Sequence, residues 1–195
     1  APAGVDTLIQ ACTYDRDLEK LKTCDLVIEV VAENSDIKQA LFKKIVPMLH
    51  PNAILASNTS GISINSLAAY LPQALRSRFC GIHFFNPPRY MHLVELTPCT
   101  DTTPALLDAL ESFIVKFLGK GVVRAKDTPN FIANRVGVFS ILATIHHALQ
   151  FKLGFDEVDA LTGVLIGRPK SATFRTLDVV GLDTMAHVIG TMTDH

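Results

Sequence analysis

Two titratable side chains stand in this sequence where aliphatic ones would be expected. His83 lies between Ile82 and Phe84, and Glu95 lies inside Leu93-Val94-Glu95-Leu96. A neutral imidazole in an apolar run needs a hydrogen-bond partner, and a buried carboxylate is costly unless paired. If neighbouring strands bring the two together, each accounts for the other. The pair is then a general base whose tautomer and charge are set by the acid. Taken alone, a histidine in such a run is more often structural than catalytic. Asn134 poses a similar choice, because a buried amide that bonds backbone at a domain interface also explains a polar residue on an apolar helix face. Ser60 serves equally as a turn or helix-capping residue, and Lys38 by default is a solvated helix side chain. A hydrolase built on Ser60 and His83 is the third reading, but the chain has no G-x-S-x-G elbow.

The elements that must position these groups follow from hydrophobic pattern. Residues 25–31 form a short apolar, β-branched stretch typical of a strand covered on both faces, as in parallel sheets. Asn34 or Ser35 can cap a helix whose stripe is Ile37, Leu41, Ile45 and Met48, with Lys38, Lys43 and Lys44 mostly off it and Pro47 distorting the last turn. Strands follow at 53–56, 79–85, 93–97 and 121–123, with helices at 64–70 and 104–118 between them, the signature of βαβ units. Ahead of the first strand the pattern suggests a short strand near 11–13 and a short helix over 15–22. After Lys126-Asp127-Thr128-Pro129 it turns to helix only. A long helix carries Phe131, Asn134, Val138, Leu142, Ile145 and Leu149 on one stripe and ends at Gly154; further helices cover 156–165 and 173–192. The expected architecture is α/β: a parallel sheet over 1–126, then an all-helical domain over 127–195.

In open α/β sheets, ligands sit beyond the carboxyl ends of the strands. Glu33 and Asn34 follow the first strand, residues 57–60 the second, and His83 with Asn86 closes the third, so these groups are expected to converge. Composition narrows what they meet. Lys and Arg number 18 against 19 Asp and Glu, for a net charge of -1, so no overall field draws nucleic acid or anionic membrane and an anionic ligand must be gripped locally. No apolar stretch approaches the length of a membrane span. Four scattered cysteines, with no C-x-x-C pair, argue against zinc or a disulfide framework and for a reducing, cytoplasmic setting. Asn58-Thr59-Ser60 reads as an accidental glycosylation sequon.

Four segments in this order resemble the 3-hydroxyacyl-CoA dehydrogenase family: Ser57-Asn58-Thr59-Ser60, Gly81-Ile82-His83-Phe84-Phe85-Asn86-Pro87, Leu93-Val94-Glu95, and residues 127–135, Asp-Thr-Pro-Asn-Phe-Ile-Ala-Asn-Arg. The similarity runs from about Cys24 onward. It implies a partial Rossmann-type sheet, NAD as cofactor, and oxidation of L-3-hydroxyacyl-CoA to 3-oxoacyl-CoA in fatty-acid β-oxidation. It implies His83, Glu95, Ser60 and Asn134 as active-site residues, and Glu33, Lys38, Asn86 and Ser60 as NAD contacts. An acyl-CoA substrate and a homodimer through the helical domain go with it. Residues 167–174, Gly-Arg-Pro-Lys-Ser-Ala-Thr-Phe, depart from the usual Met-Gly-Pro-Phe form and are similar to a bacterial subgroup fused to an enoyl-CoA hydratase-like region.

A dinucleotide fold also needs a Gly-rich turn opening a helix toward the pyrophosphate, and no G-x-G-x-x-G occurs here. The expectation is a fragment without the first βαβ unit, ending at His195 inside or just after a helix, and binding NAD poorly by calorimetry. The competing reading is a non-catalytic module acting in oligomerisation or acyl-CoA binding, in which His83 and Glu95 need not touch.

Overall fold

The computed structural model describes residues 4–193, without the side chains of residues 5, 6, 187 and 191–193; His195 lies outside the described residues. The chain divides into two compact units, Ala1–Thr59 with Ile64–Val123, and Ser60–Ser63 with Arg124–His195.

The first unit is a five-stranded sheet in the order β1 (Leu26–Glu29), β2 (Ile54–Ser57), β3 (Phe79–Phe84), β4 (Leu93–Pro98), β5 (Gly121–Arg124). β1, β2 and β3 are parallel, joined by α1 (Ser35–Ile45), then α2 (Ile64–Ala68) and α3 (Gln73–Arg76). This is the Rossmann-type arrangement, with one departure: β4 runs antiparallel to β3, which a run of buried apolar residues does not reveal. Successive strand residues face opposite sides. Cys80, Ile82, Val94 and Leu96 pack with Leu106, Leu107, Leu110 and Ile114 of α4 (Pro104–Leu118). On the other face Phe79 meets Phe42 of α1 edge-on, and Gly81 leaves room for Ile64 of α2, whose Cδ1 would stand 2.7 Å from a Cβ there. His83 and Glu95 share this second face.

Several expected features move. No strand forms at 11–13, and the helix expected over 15–22 is a 3-10 turn at Leu18–Thr23. β1 is an edge strand among the described residues, so Leu26, Val27 and Ile28 are half-buried rather than covered twice. The buried side of α1 is Lys38, Phe42 and Ile45, while Ile37 is 47% exposed. The stripe is turned because Lys38 points inward. After α1, Val46–Met48 tightens into a 3-10 turn at Pro47.

A hydroxyl and two thiols are buried in the core. Thr97 Oγ1 is buried with no hydrogen-bond partner. Removing an unsatisfied hydroxyl without changing shape relieves a desolvation cost. Thr97→Val is therefore expected to raise unfolding free energy by about 1 kcal/mol in urea melts; destabilisation by that much would refute the account. Cys80 and Cys99 are buried free thiols, and burial, with Cys99 adding to it, pushes the Cys80 thiol up to about 12.

The second unit holds α5 (Ala133–Phe151), α6 (Phe155–Thr162), α7 (Phe174–Val180) and α8 (Leu182–Thr193). α5 closes at Lys152, in the left-handed region at φ 56, rather than at Gly154, which precedes α6 and donates its N–H to Glu157 at 2.7 Å. The single helix expected over 173–192 is broken by Gly181 at φ 95. α7 has no N-cap of its own; buried Asp159 of α6 accepts the N–H groups of Thr173, Phe174 and Arg175 at 3.1, 2.7 and 3.1 Å. Asp159→Ala orphans all three, and a loss of about 1–3 kcal/mol is expected by chemical denaturation. Among the described residues no helix is long and apolar enough to cross a membrane.

Candidate active site

The register of β3 and β4 puts His83 directly opposite Glu95. His83 is 4% exposed and Glu95 fully buried, and His83 Nδ1 lies 2.8 Å from Glu95 Oε2. A carboxylate at that distance accepts a hydrogen bond from Nδ1–H, which keeps the ring proton on Nδ1 and makes Nε2 the basic nitrogen of the neutral ring. The same carboxylate supports the positive charge of an imidazolium once Nε2 takes a proton. Phe85 flanks the ring at 4.4 Å between centroids. His83 is the penultimate residue of β3, so the imidazole sits at a carboxyl end of the parallel part of the sheet.

A second polar group lies at the carboxyl ends of β1 and β2. Glu29 and Ser57, the paired last residues of these strands, are buried. Lys38, 1% exposed, places Nζ 2.8 and 2.9 Å from the two Glu29 oxygens. Ser57 Oγ donates to Glu29 Oε2 at 2.5 Å, and the Val31 N–H donates to Oε1 at 2.6 Å. Glu33, whose side chain is 26% exposed, lies 3.5 Å from Lys38 Nζ and accepts from Thr59 Oγ1 at 2.6 Å. Lys38 is thus no solvated side chain: its charge is enclosed between two carboxylates. Sequence reasoning missed Glu29, although a carboxylate in the apolar run 25–31 is the signal that singled out Glu95.

The remaining expected residues fall elsewhere. Within the second unit, Asn134 Nδ2 donates to the Ser60 carbonyl at 3.3 Å, and Ser63 Oγ donates to Asp127 Oδ2 at 2.8 Å. These bonds tie the 60–63 segment to α5 and to the turn ahead of it, and the Asn134 bond is of the amide-to-backbone kind that the sequence allowed. Asn58, expected only as one of the polar residues 57–60 after the second strand, accepts the Phe84 N–H at 2.9 Å and joins the β2 turn to β3. Asn86 is exposed and precedes a cis peptide to Pro87.

Part of this donor set fits NAD. Glu33 offers a part-exposed carboxylate beside the strand ends, as hydroxyl or amide recognition requires. The N-terminus of α1 does not offer a phosphate cradle: Asn34 Oδ1 already accepts from Asp36 N and Ile37 N at 2.9 and 3.1 Å, and Asp36 adds a negative charge to the first turn.

Comparison with known proteins agrees with this architecture. The family described as "3-hydroxyacyl-CoA dehydrogenase, NAD binding domain" matches residues 2–128. A "Probable 3-hydroxyacyl-CoA dehydrogenase" of Bacillus subtilis is 51% identical over 172 residues, 88% of this chain and 22% of the relative. A "Putative fatty acid oxidation complex trifunctional enzyme" of Rickettsia prowazekii is 42% identical over 88% of this chain and 24% of its own length. The crystal structure of (S)-3-hydroxybutyryl-CoA dehydrogenase from Ralstonia eutropha superposes with a TM-score of 0.81 at 34% identity, covering 93% of this chain and 62% of that one. The chain therefore spans under two thirds of each of these proteins. On the match over residues 2–128, and on the fold that goes with it, the chain belongs to the 3-hydroxyacyl-CoA dehydrogenase family through its NAD binding domain.

Proposed function

We propose that this chain supplies the base for NAD-dependent oxidation of an L-3-hydroxyacyl-CoA to the 3-oxoacyl-CoA in fatty-acid β-oxidation. The observation that carries the reading is the buried His83 Nδ1–Glu95 Oε2 contact of 2.8 Å at the carboxyl end of β3. Oxidising a secondary alcohol removes a proton from oxygen as hydride leaves carbon, so a base must reach the hydroxyl. His83 Nε2 takes that proton, and Glu95 holds the ring and balances its charge. Ser60 and Asn134 hold the substrate oxygens, and Glu33, Lys38, Asn86 and Ser60 contact the cofactor. NAD, when bound, supplies the hydride acceptor.

In this reading residues 1–126 are the C-terminal part of the NAD-binding domain and 127–195 belong to the helical domain. The Rickettsia relative is named a trifunctional enzyme of a fatty acid oxidation complex, which supports further activities in the parent protein, the expected hydratase-like region among them. All four cysteines are free, which suits a cytoplasmic setting. The test is NADH formation at 340 nm with 3-hydroxybutyryl-CoA on the full natural protein, beside its Glu95→Gln variant. Wild-type rates in the variant would sink the assignment.

The self-association reading draws on a different observation. Phe139, Leu149 and Phe151 of α5 are 72, 74 and 71% exposed, and Leu165 is 78% exposed. Apolar area of this kind marks protein interfaces, and a homodimer through the helical domain covers it. Light scattering on a size-exclusion column decides, with a monomer at micromolar concentration as the contrary result.

A further inference from the structure

Between β3 and β4, residues 85–92 lie outside the ladder, and all but Phe85 are exposed. A turn shapes this connection from within: the Tyr90 and Met91 N–H groups both donate to the Pro87 carbonyl at 3.0 Å. The start of β5 holds it from outside. The Gly121 N–H donates to the His92 carbonyl at 2.9 Å, and Lys120 Nζ donates to the Pro88 and Met91 carbonyls at 2.5 and 2.7 Å. Gly119, in the left-handed region at φ 64, ends α4 by sending its own N–H and that of Lys120 to the Ile114 carbonyl, so Lys120 leaves the helix in a set direction. An ammonium ordinarily stays in water on its flexible stem or meets a carboxylate. Here two of its three donors go to neutral carbonyls three residues apart, which makes the lysine a clasp across the turn.

The clasped segment begins beside the proposed base. Phe85 is the first residue past the ladder and two beyond His83, and its ring lies 4.4 Å from the imidazole between centroids, inclined by 54°. A hydrogen bond at Nδ1 by itself fixes one point of an imidazole and not its tilt. A phenyl ring against its face limits the tilt and so aims Nε2. We propose that Lys120 is a positioning residue: by joining the Pro88 and Met91 carbonyls to the start of β5, it keeps the connection, and with it Phe85, against the His83 imidazole. The inference rests on the proposed function, in which His83 Nε2 takes the substrate proton.

Steady-state kinetics with 3-hydroxybutyryl-CoA at saturating NAD, on the full natural protein, test it, with thermal melts to show folding. Lys120→Met keeps the stem and removes the donors. It is expected to lower kcat by about three- to thirtyfold, short of the roughly hundredfold that a 1 Å misplacement can cost, with KM for the acyl-CoA within about twofold. Phe85→Ala should lose a similar amount. Adding Lys120→Met to it should cost nothing further, because residues that act through one another do not add. Wild-type kcat in a folded Lys120→Met protein would overturn the inference. So would a loss that multiplies with that of Phe85→Ala, or one carried mainly by the acyl-CoA KM. A parent protein that forms no NADH from the substrate would instead remove the dehydrogenase reading underneath. If Lys120→Met or Phe85→Ala does not fold, Lys120→Ala or Phe85→Leu takes its place, with the same expected and refuting results.

Discussion

His83→Ala is expected to lower kcat for 3-hydroxyacyl-CoA oxidation by about 10²–10⁴-fold, the range for loss of a positioned general base. The KM for NAD should change little, since the imidazole meets the hydroxyl end of the reaction. Glu95→Gln should fall in the same range for a subtler reason. An amide nitrogen can donate to Nδ1, which puts the ring proton on Nε2 and leaves no lone pair where the base must act. Both side chains are buried at the β3–β4 ladder, so melts must accompany the kinetics. A folded His83→Ala protein with wild-type kcat would end the dehydrogenase reading.

The largest effect on stability is expected at Lys38. Lys38→Met leaves the Glu29 carboxylate, whose side chain is 0% exposed, without its counter-ion. Breaking one side of a buried ion pair costs about 3–5 kcal/mol, whereas replacing both sides is often near neutral. Lys38→Met should therefore lose about that much in urea unfolding, and adding Glu29→Gln should recover most of it. Against a typical total of about 5–15 kcal/mol, the single change is a large fraction. A loss below about 1 kcal/mol would mean that the pair is effectively solvated.

Strand positions were legible because each strand is a short, nearly unbroken apolar run. The direction of β4 was not, since antiparallel and parallel neighbours bury the same residues. Polar residues inside apolar runs were the best guide to the site: His83 and Glu95 were found this way, and each strand contributes one of them. The same rule applied to β1 points to Glu29, whose partner Lys38 reads from the sequence as a solvated side chain or a cofactor contact rather than as a buried counter-ion. The α1 stripe turns with it, since Lys38, Phe42 and Ile45 face inward where Ile37, Leu41, Ile45 and Met48 are expected to. The helical spans of the second unit were readable, but their ends and inward faces were not: of the stripe expected on α5, Leu142 and Leu149 are 43 and 74% exposed. Lys152 adopts a backbone conformation usually left to glycine, while Gly181, inside an apparently continuous pattern, is where the helix stops. Asp159 illustrates a cap that arrives from another helix, and no local spacing encodes it.

Because β4 returns against β3, the meeting of imidazole and carboxylate is a matter of counting along two rungs of one ladder. Residues 85–92 can change in composition without touching that count. A single-residue slip between the strands would turn the carboxylate toward α4 and bring an aliphatic neighbour under the ring. The same slip would pull Val94 and Leu96 away from α4, so the count that aligns the proton-transfer pair is also the one that fills the interior, and insertions that strain the hairpin would cost activity and stability together.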